Sequence, residues 1–178
     1  MAISIVLALA VARTVDGVRS AFSKDRLYWV HAAWVVVKLT NPITFWWSTW
    51  RYRELATWDI LSFTLVLAWP VVLYLQVTSL VSRQPELVTD WRAHFYAQRR
   101  WFFGANIVLN LLPIGYRLLL GLDPVAGPSG IANVVFIAYS ILGFATDNEK
   151  AHGFIVATAA ITILLGFWIP GFTPRPLP

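Results

Sequence analysis

The sequence predicts an all-α membrane protein: one domain over residues 1–178, folded as a bundle of six transmembrane helices, five if the first is cleaved, with one interfacial amphipathic helix. Three observations lead there. Apolar residues (AVILMFWYC) make up 58% of the chain and charged residues only 13%, whereas a soluble domain is about half apolar and a quarter charged. Five apolar runs reach or approach the ~20 residues that cross a bilayer core at ~1.5 Å each. Lysine and arginine gather in the short loops between those runs. That pattern fits orientation signals and contact with anionic lipid headgroups, so the net charge of +5 points to membrane lipids as partners and away from nucleic acid. Cysteine is absent, which excludes disulfides, thiolate metal sites and cysteine nucleophiles.

The first candidate helix, Ala2 to about Ser20, is apolar for a dozen residues and then carries Arg13, Asp16 and Arg19. Ala8-Leu9-Ala10 resembles a signal cleavage site, but no positive segment precedes it, so a retained helix is expected, with Arg13 and Asp16 paired one turn apart. The next spans are Leu27–Trp50, Trp58–Val81 (charged at its start by Asp59), Trp101–Gly121, Gly130–Ala145 and His152–Pro170. Gly127-Pro128-Ser129-Gly130 marks the turn before helix five, and Thr146 to Glu149 has capping-box spacing before helix six. The tail from Pro170 to Pro178 holds four prolines and should be extended. Between Ser82 and Arg100 the chain is too polar to span. After Pro85, Leu87, Trp91 and Phe95 recur every fourth residue opposite Glu86, Asp90 and Arg92, which predicts the amphipathic helix in the headgroup plane.

Orientation follows from the basic residues. One side collects Arg19, Lys24, Arg26, Arg83, Arg92, Arg99, Arg100 and Lys150; the other collects Arg51, Arg53, Arg117 and Arg175. The first side should be cytoplasmic, leaving both termini outside if all six helices span. Most of the ten tryptophans then fall at the interfaces: Trp29, Trp91 and Trp101 inside, Trp46, Trp47, Trp50, Trp58 and Trp168 outside, as an aromatic belt. Trp34 and Trp69 lie deeper, Trp69 next to Pro70.

The most informative residue is Lys38, placed mid-way along helix two. A lysine that far from both ends of a span is expensive and faces an interior, a cavity or a partner charge. His31, Trp34, Lys38, Asn41 and Phe45 share about 80° of helical arc. Pro42 lacks the N–H that would bond the Lys38 carbonyl, so a bend is expected there. On helix four, Asn106, Asn110, Pro113 and Arg117 form a second stripe; Asn133 and Ser140 on helix five, and Thr158, Thr162 and Gly166 on helix six, supply further polar and small positions. His31, Trp34, Lys38, Asn41, Asn106, Asn110 and Arg117 are therefore the candidate ligand or pathway residues. Interhelical hydrogen bonding alone also accounts for the asparagines.

His31, His94 and His152 should lie near the cytoplasmic face, and they are the only candidate ligands for a haem iron or zinc, unsupported by any ligand-pair spacing. No nucleophile elbow, P-loop, dinucleotide fingerprint or intrahelical acidic pair is present, so no residue is a catalytic candidate.

His31-Ala-Ala-Trp34, the pair Trp46-Trp47 and Arg92-Ala-His94-Phe-Tyr96 before Arg99-Arg100 resemble the pattern of a group of uncharacterised bacterial inner-membrane proteins over residues 1–120. The resemblance implies a multi-pass helical bundle in a bacterial inner membrane and implies no activity; Lys38 is not part of the pattern. The leading expectation from the residues is a small channel or transporter-like protein, homo-oligomeric or joined to a membrane complex, in which the polar face of helix two meets that of helix four and favours an anion. A second reading is an accessory subunit or scaffold of a larger membrane complex. A third is a haem- or cofactor-binding redox protein using His31 with His152 or His94.

Overall fold

Helices account for nearly all of the chain that the computed structural model describes, namely residues 2–22, 27–49 and 59–168. They are α1 (Ala2–Ala21), α2 (Trp29–Thr49), α3 (Ile60–Leu80), α4 (Trp91–Leu119), α5 (Gly127–Ala145) and α6 (Glu149–Trp168), with one 3₁₀ turn, Pro85–Leu87, before α4. No strand occurs among the described residues. Four segments are long and apolar enough to cross a membrane: Ile60–Leu87, Trp91–Leu119, Gly127–Ala145 and Glu149–Gly166. The other two helices, 20 and 21 residues long, are not among these four. Arg13, Asp16 and Arg19 fall inside α1, and His31, Lys38 and Asn41 inside α2. Large apolar side chains stay exposed around the outside, among them Ile43, Ile60, Ile131, Phe154 and Leu164. A water-soluble bundle would bury such residues; a bundle set in lipid has no reason to.

Short connections force sequential helices to run antiparallel, and α4 is the centre of the assembly. It packs most extensively on α3 and α5, while α1 lies against α3 and α2, and α2 also touches α6, α3 and α4. The starts of α4 and α6 come together at one end, where Arg92 pairs with Glu149 at 2.9 Å and Arg99 pairs with Asp147. The sequence reading puts these four residues on one side of the membrane.

Local chemistry sets the helix ends. Asp59 caps α3, its carboxylate accepting from the Ser62 N–H at 2.7 Å, and Asp90 does the same for α4 through the Arg92 N–H. Asn148, rather than Thr146, caps α6: its side-chain oxygen accepts from the Lys150 and Ala151 N–H groups, while the Thr146 hydroxyl accepts from the Asn148 N–H. The expected capping box is thus replaced by a one-sided cap, because the residue three beyond Asn148 is Ala151, which has no side chain to bond back. Gly127 begins α5 with φ 72°, in the left-handed region that glycine enters without steric cost.

Several expectations change. No separate amphipathic helix precedes α4; after the 3₁₀ turn the amphipathic residues from Trp91 onward continue unbroken into the apolar segment as one helix of 29 residues. No breaker stands between Arg92 and Phe103, so nothing ends the helix where polarity changes. Trp91 is fully buried, not in a belt, because it packs on the ring of His31. Trp29, Trp46, Trp47 and Trp101 are exposed. Arg13 does not pair with Asp16; it donates to the Val81 carbonyl at 3.0 Å, tying α1 to the end of α3. The expectations for Lys24, Arg26, Arg51, Arg53, Trp50, Trp58, the Trp168 side chain and the tail 170–178 lie outside the described residues.

Candidate functional site

Lys38 is 2% exposed, near the middle of α2, with Pro42 one turn later inside the same helix. Its side-chain nitrogen, Nζ, donates to the Asn106 side-chain oxygen at 2.8 Å. The same oxygen accepts from the Gln76 amide at 3.0 Å, and Gln76 also donates to the Phe102 carbonyl at 3.1 Å. The other end of the Asn106 carboxamide donates to the Ser140 hydroxyl at 2.8 Å, and that hydroxyl donates to the Phe136 carbonyl. One asparagine on α4 thereby joins α2, α3 and α5. All four side chains are buried. In a low-dielectric interior such bonds are electrostatically stronger than in water, and an unmade one is costly.

Aromatic rings close the site around the amine. Lys38 Nζ lies 5.6 Å from the centroid of Trp34 and 5.4 Å from that of Phe102, distances at which a ring face attracts a cation. Trp34 itself packs edge-on against Phe102 and Phe103. For Trp34, core packing and contact with the lysine are thus one arrangement. Two buried polar atoms of this group have no hydrogen-bond partner, Trp34 Nε1 and Gln76 Oε1.

The other candidates fall in different places. Asn110 is half-buried and donates to the Asn106 backbone carbonyl at 2.7 Å, so it joins the group through the backbone of its own helix. Asn41 is half-buried one turn beyond Lys38. Arg117 stands near the end of α4, where its Nε donates to the Asp123 carbonyl in the following loop at 2.8 Å; this is a loop-closing contact remote from Lys38 in the helix. Gln76 was not among the candidates. Its context hides it, since it sits in a helix with no charged residue; the available signal was a lone amide in an otherwise apolar span.

A second cluster occupies the end of the bundle where α2, α4 and α6 begin. His31 stacks face to face on Trp91 at 4.6 Å, and its Nε2 lies 2.9 Å from the Leu80 carbonyl. A carbonyl only accepts, so Nε2 carries the proton and Nδ1, buried and without a partner, holds the lone pair. His94 meets His31 edge to face at 6.3 Å between centroids. His152 packs instead on Phe103, at 5.5 Å, and bonds the Thr146 carbonyl. The three histidines share one end as expected; His31 and His94 both pack on Trp91, whereas His152 packs on Phe103. Among the described residues no three His, Cys, Asp or Glu side chains converge as a metal cradle.

Thr158 and Thr162 bond carbonyls of their own helix, four residues back, and so contribute no bond across to a neighbour. Comparison of the chain with protein-family models, with curated proteins and with solved structures finds no match.

Proposed function

We propose that the chain is a bacterial inner-membrane protein of six spans that moves a small anionic solute across the bilayer by way of the Lys38 group, in a transporter-like manner. One observation carries this reading. Among the described residues, a basic side chain is held in the interior against neutral partners only, the Asn106 amide oxygen and two aromatic faces. A purely structural site would be expected to supply a carboxylate or to replace the lysine by an apolar residue of similar size, since an uncompensated buried charge is strongly unfavourable. A solute anion is the partner that such a centre lacks.

The helices that meet there are built to move. α2, α3 and α4 contain Pro42, Pro70 and Pro113, each of which removes a backbone hydrogen bond within about two turns of Lys38, Gln76 or Asn106. The described arrangement is the closed member of the cycle, with the amide network shut across the path. The test is anion flux in proteoliposomes, with chloride and nitrate as probes. Flux above that of empty vesicles, abolished by Lys38→Met in protein that still purifies as a folded species, supports the reading; equal flux with and without Lys38 removes it.

A second reading, an accessory subunit of a larger membrane complex, is favoured by an apolar groove of about 340 Å³ on the outer face of α2, where Trp29, Ala33 and Val36 meet Ala160 of α6. Isolation in mild detergent of the chain with a stoichiometric partner seated there, and no anion flux, would establish it in place of the first.

A further inference from the structure

We propose that Lys38 is the proton-exchanging group of this molecule: it is an uncharged amine while the four helices are closed around it, and it takes up one proton when α2 separates from Asn106. The purpose of this step rests on the transport reading above; its chemistry does not.

The hydrogen-bond inventory carries the argument. An ammonium has three N–H donors and no acceptor, whereas an amine has two donors and a lone pair. Lys38 has one acceptor, the Asn106 oxygen, and shares it with Gln76. Asn106 offers Lys38 no second acceptor, because the two lone pairs of its side-chain oxygen go to Lys38 and Gln76 and its backbone oxygen accepts from Asn110. As an ammonium, Lys38 would keep two charged N–H groups unpaired among aromatic rings; as an amine it keeps one neutral N–H, and its lone pair can accept.

The orphaned atoms fit the same assignment. Gln76 Oε1 is an unused acceptor and Trp34 Nε1 an unused donor, both in residues that touch this centre. They offer the two kinds of bond an amine, or a water carrying its proton, can make.

Among the described residues no neighbouring charge opposes it. α3 and α5 contain no Asp, Glu, Lys, Arg or His. On α4 the nearest charged residues are Arg100 and Arg117, six before and eleven after Asn106. On α2 itself His31 is occupied by the Leu80 carbonyl. Arg13 of α1 is held by the Val81 carbonyl, and the charged residues of α6 lie in its first turn.

The exchange balances simply. On opening, hydronium gives its proton to the amine, leaving water and an ammonium that can pair with the anion. On closing, the ammonium returns the proton to water as the anion leaves. One proton then accompanies each monovalent anion, and the cycle is electroneutral.

The chain has three lysines, Lys24, Lys38 and Lys150, so selective 13Cε-lysine labelling gives three NMR signals. Lys38→Met assigns one by loss, and Lys24→Arg and Lys150→Arg assign the others should the first variant fold poorly. At about pH 8, more than two units below the ordinary lysine value, the Lys38 signal should read as amine. A Lys38 signal in the ammonium position at that pH, moving only with the other two, overturns the inference whatever the flux result. If Lys38 reads as amine but neither chloride nor nitrate flux is seen, the transport reading falls and the proton assignment stands.

Discussion

Asn106 is the residue on which the interior depends. It accepts from Lys38 and Gln76 and donates to Ser140, so its removal takes a bond from a side chain on each of three helices and takes from Lys38 its acceptor. The cost of Asn106→Leu should therefore depend on whether Lys38 is present. We expect Asn106→Leu to destabilise the protein by about 1–3 kcal/mol more with Lys38 than in a Lys38→Met background, since residues of one network couple by roughly that much. Thermal or denaturant unfolding of the four proteins in one detergent measures it; additive effects would mean that the short Lys38–Asn106 bond contributes nothing. Ser140→Ala leaves the Asn106 amide without its acceptor and should cost about 0.6–2 kcal/mol in the same assay.

Lys38 and the Asn106 stripe were readable from the sequence because depth along a span and helical period fix which face a side chain takes. Gln76 was not, since its face matters only once α3 is known to lie against α4. Trp91 was misplaced for a related reason. Its position beside Asp90 and Arg92 reads as interfacial, and only the return of α3 and the start of α2 put His31 over its ring. Arg117 shares a stripe with Asn106 and Asn110, yet eleven residues of helix carry it to the far end of α4, where a loop carbonyl claims it.

Where helices touch, the smallest residues decide how close they come. A Cβ added at Gly143 of α5 would meet the ring of Phe103 at 2.5 Å. That ring has nowhere to go, being fully buried between Trp34, Phe102 and His152. Gly143→Ala should accordingly destabilise the α4–α5 contact by about 1–3 kcal/mol, the usual cost of overpacking, and Phe103→Leu should recover part of it; an unfolding midpoint equal to that of the parent protein would count against this packing. The start of α3 responds to pH. The bonds from the Ser62 N–H to Asp59 favour its carboxylate and hold its pKa below the ordinary value. The cap is then fully formed above the ordinary carboxylate range and is lost as pH falls through the lowered value. Asp59→Asn keeps an acceptor without the charge. Its α3 amide protection, followed by hydrogen exchange at Ser62 and Phe63, should change less with acid than that of the parent.

The whole molecule has its membrane character written on its outside: Ile60, Ile131 and Leu164 are among many large apolar side chains left exposed. Helix order and the ion pairs from Arg92 to Glu149 and Arg99 to Asp147 place the beginnings of α4 and α6 together. The α4–α5 loop around Leu122 must then lie at the opposite end, because α4 runs 29 residues, about 43 Å at 1.5 Å per residue, from one to the other. The lack of cysteine makes this directly measurable, since single cysteines introduce the only thiol. Arg83→Cys and Lys150→Cys should react with a membrane-impermeant maleimide in inside-out vesicles, and Leu122→Cys in right-side-out vesicles, the first two facing the cytoplasm because that side gathers most of the lysine and arginine. Labelling of Leu122→Cys and Lys150→Cys from the same side would mean that α5 does not cross, and with it the bundle of six spans would be lost.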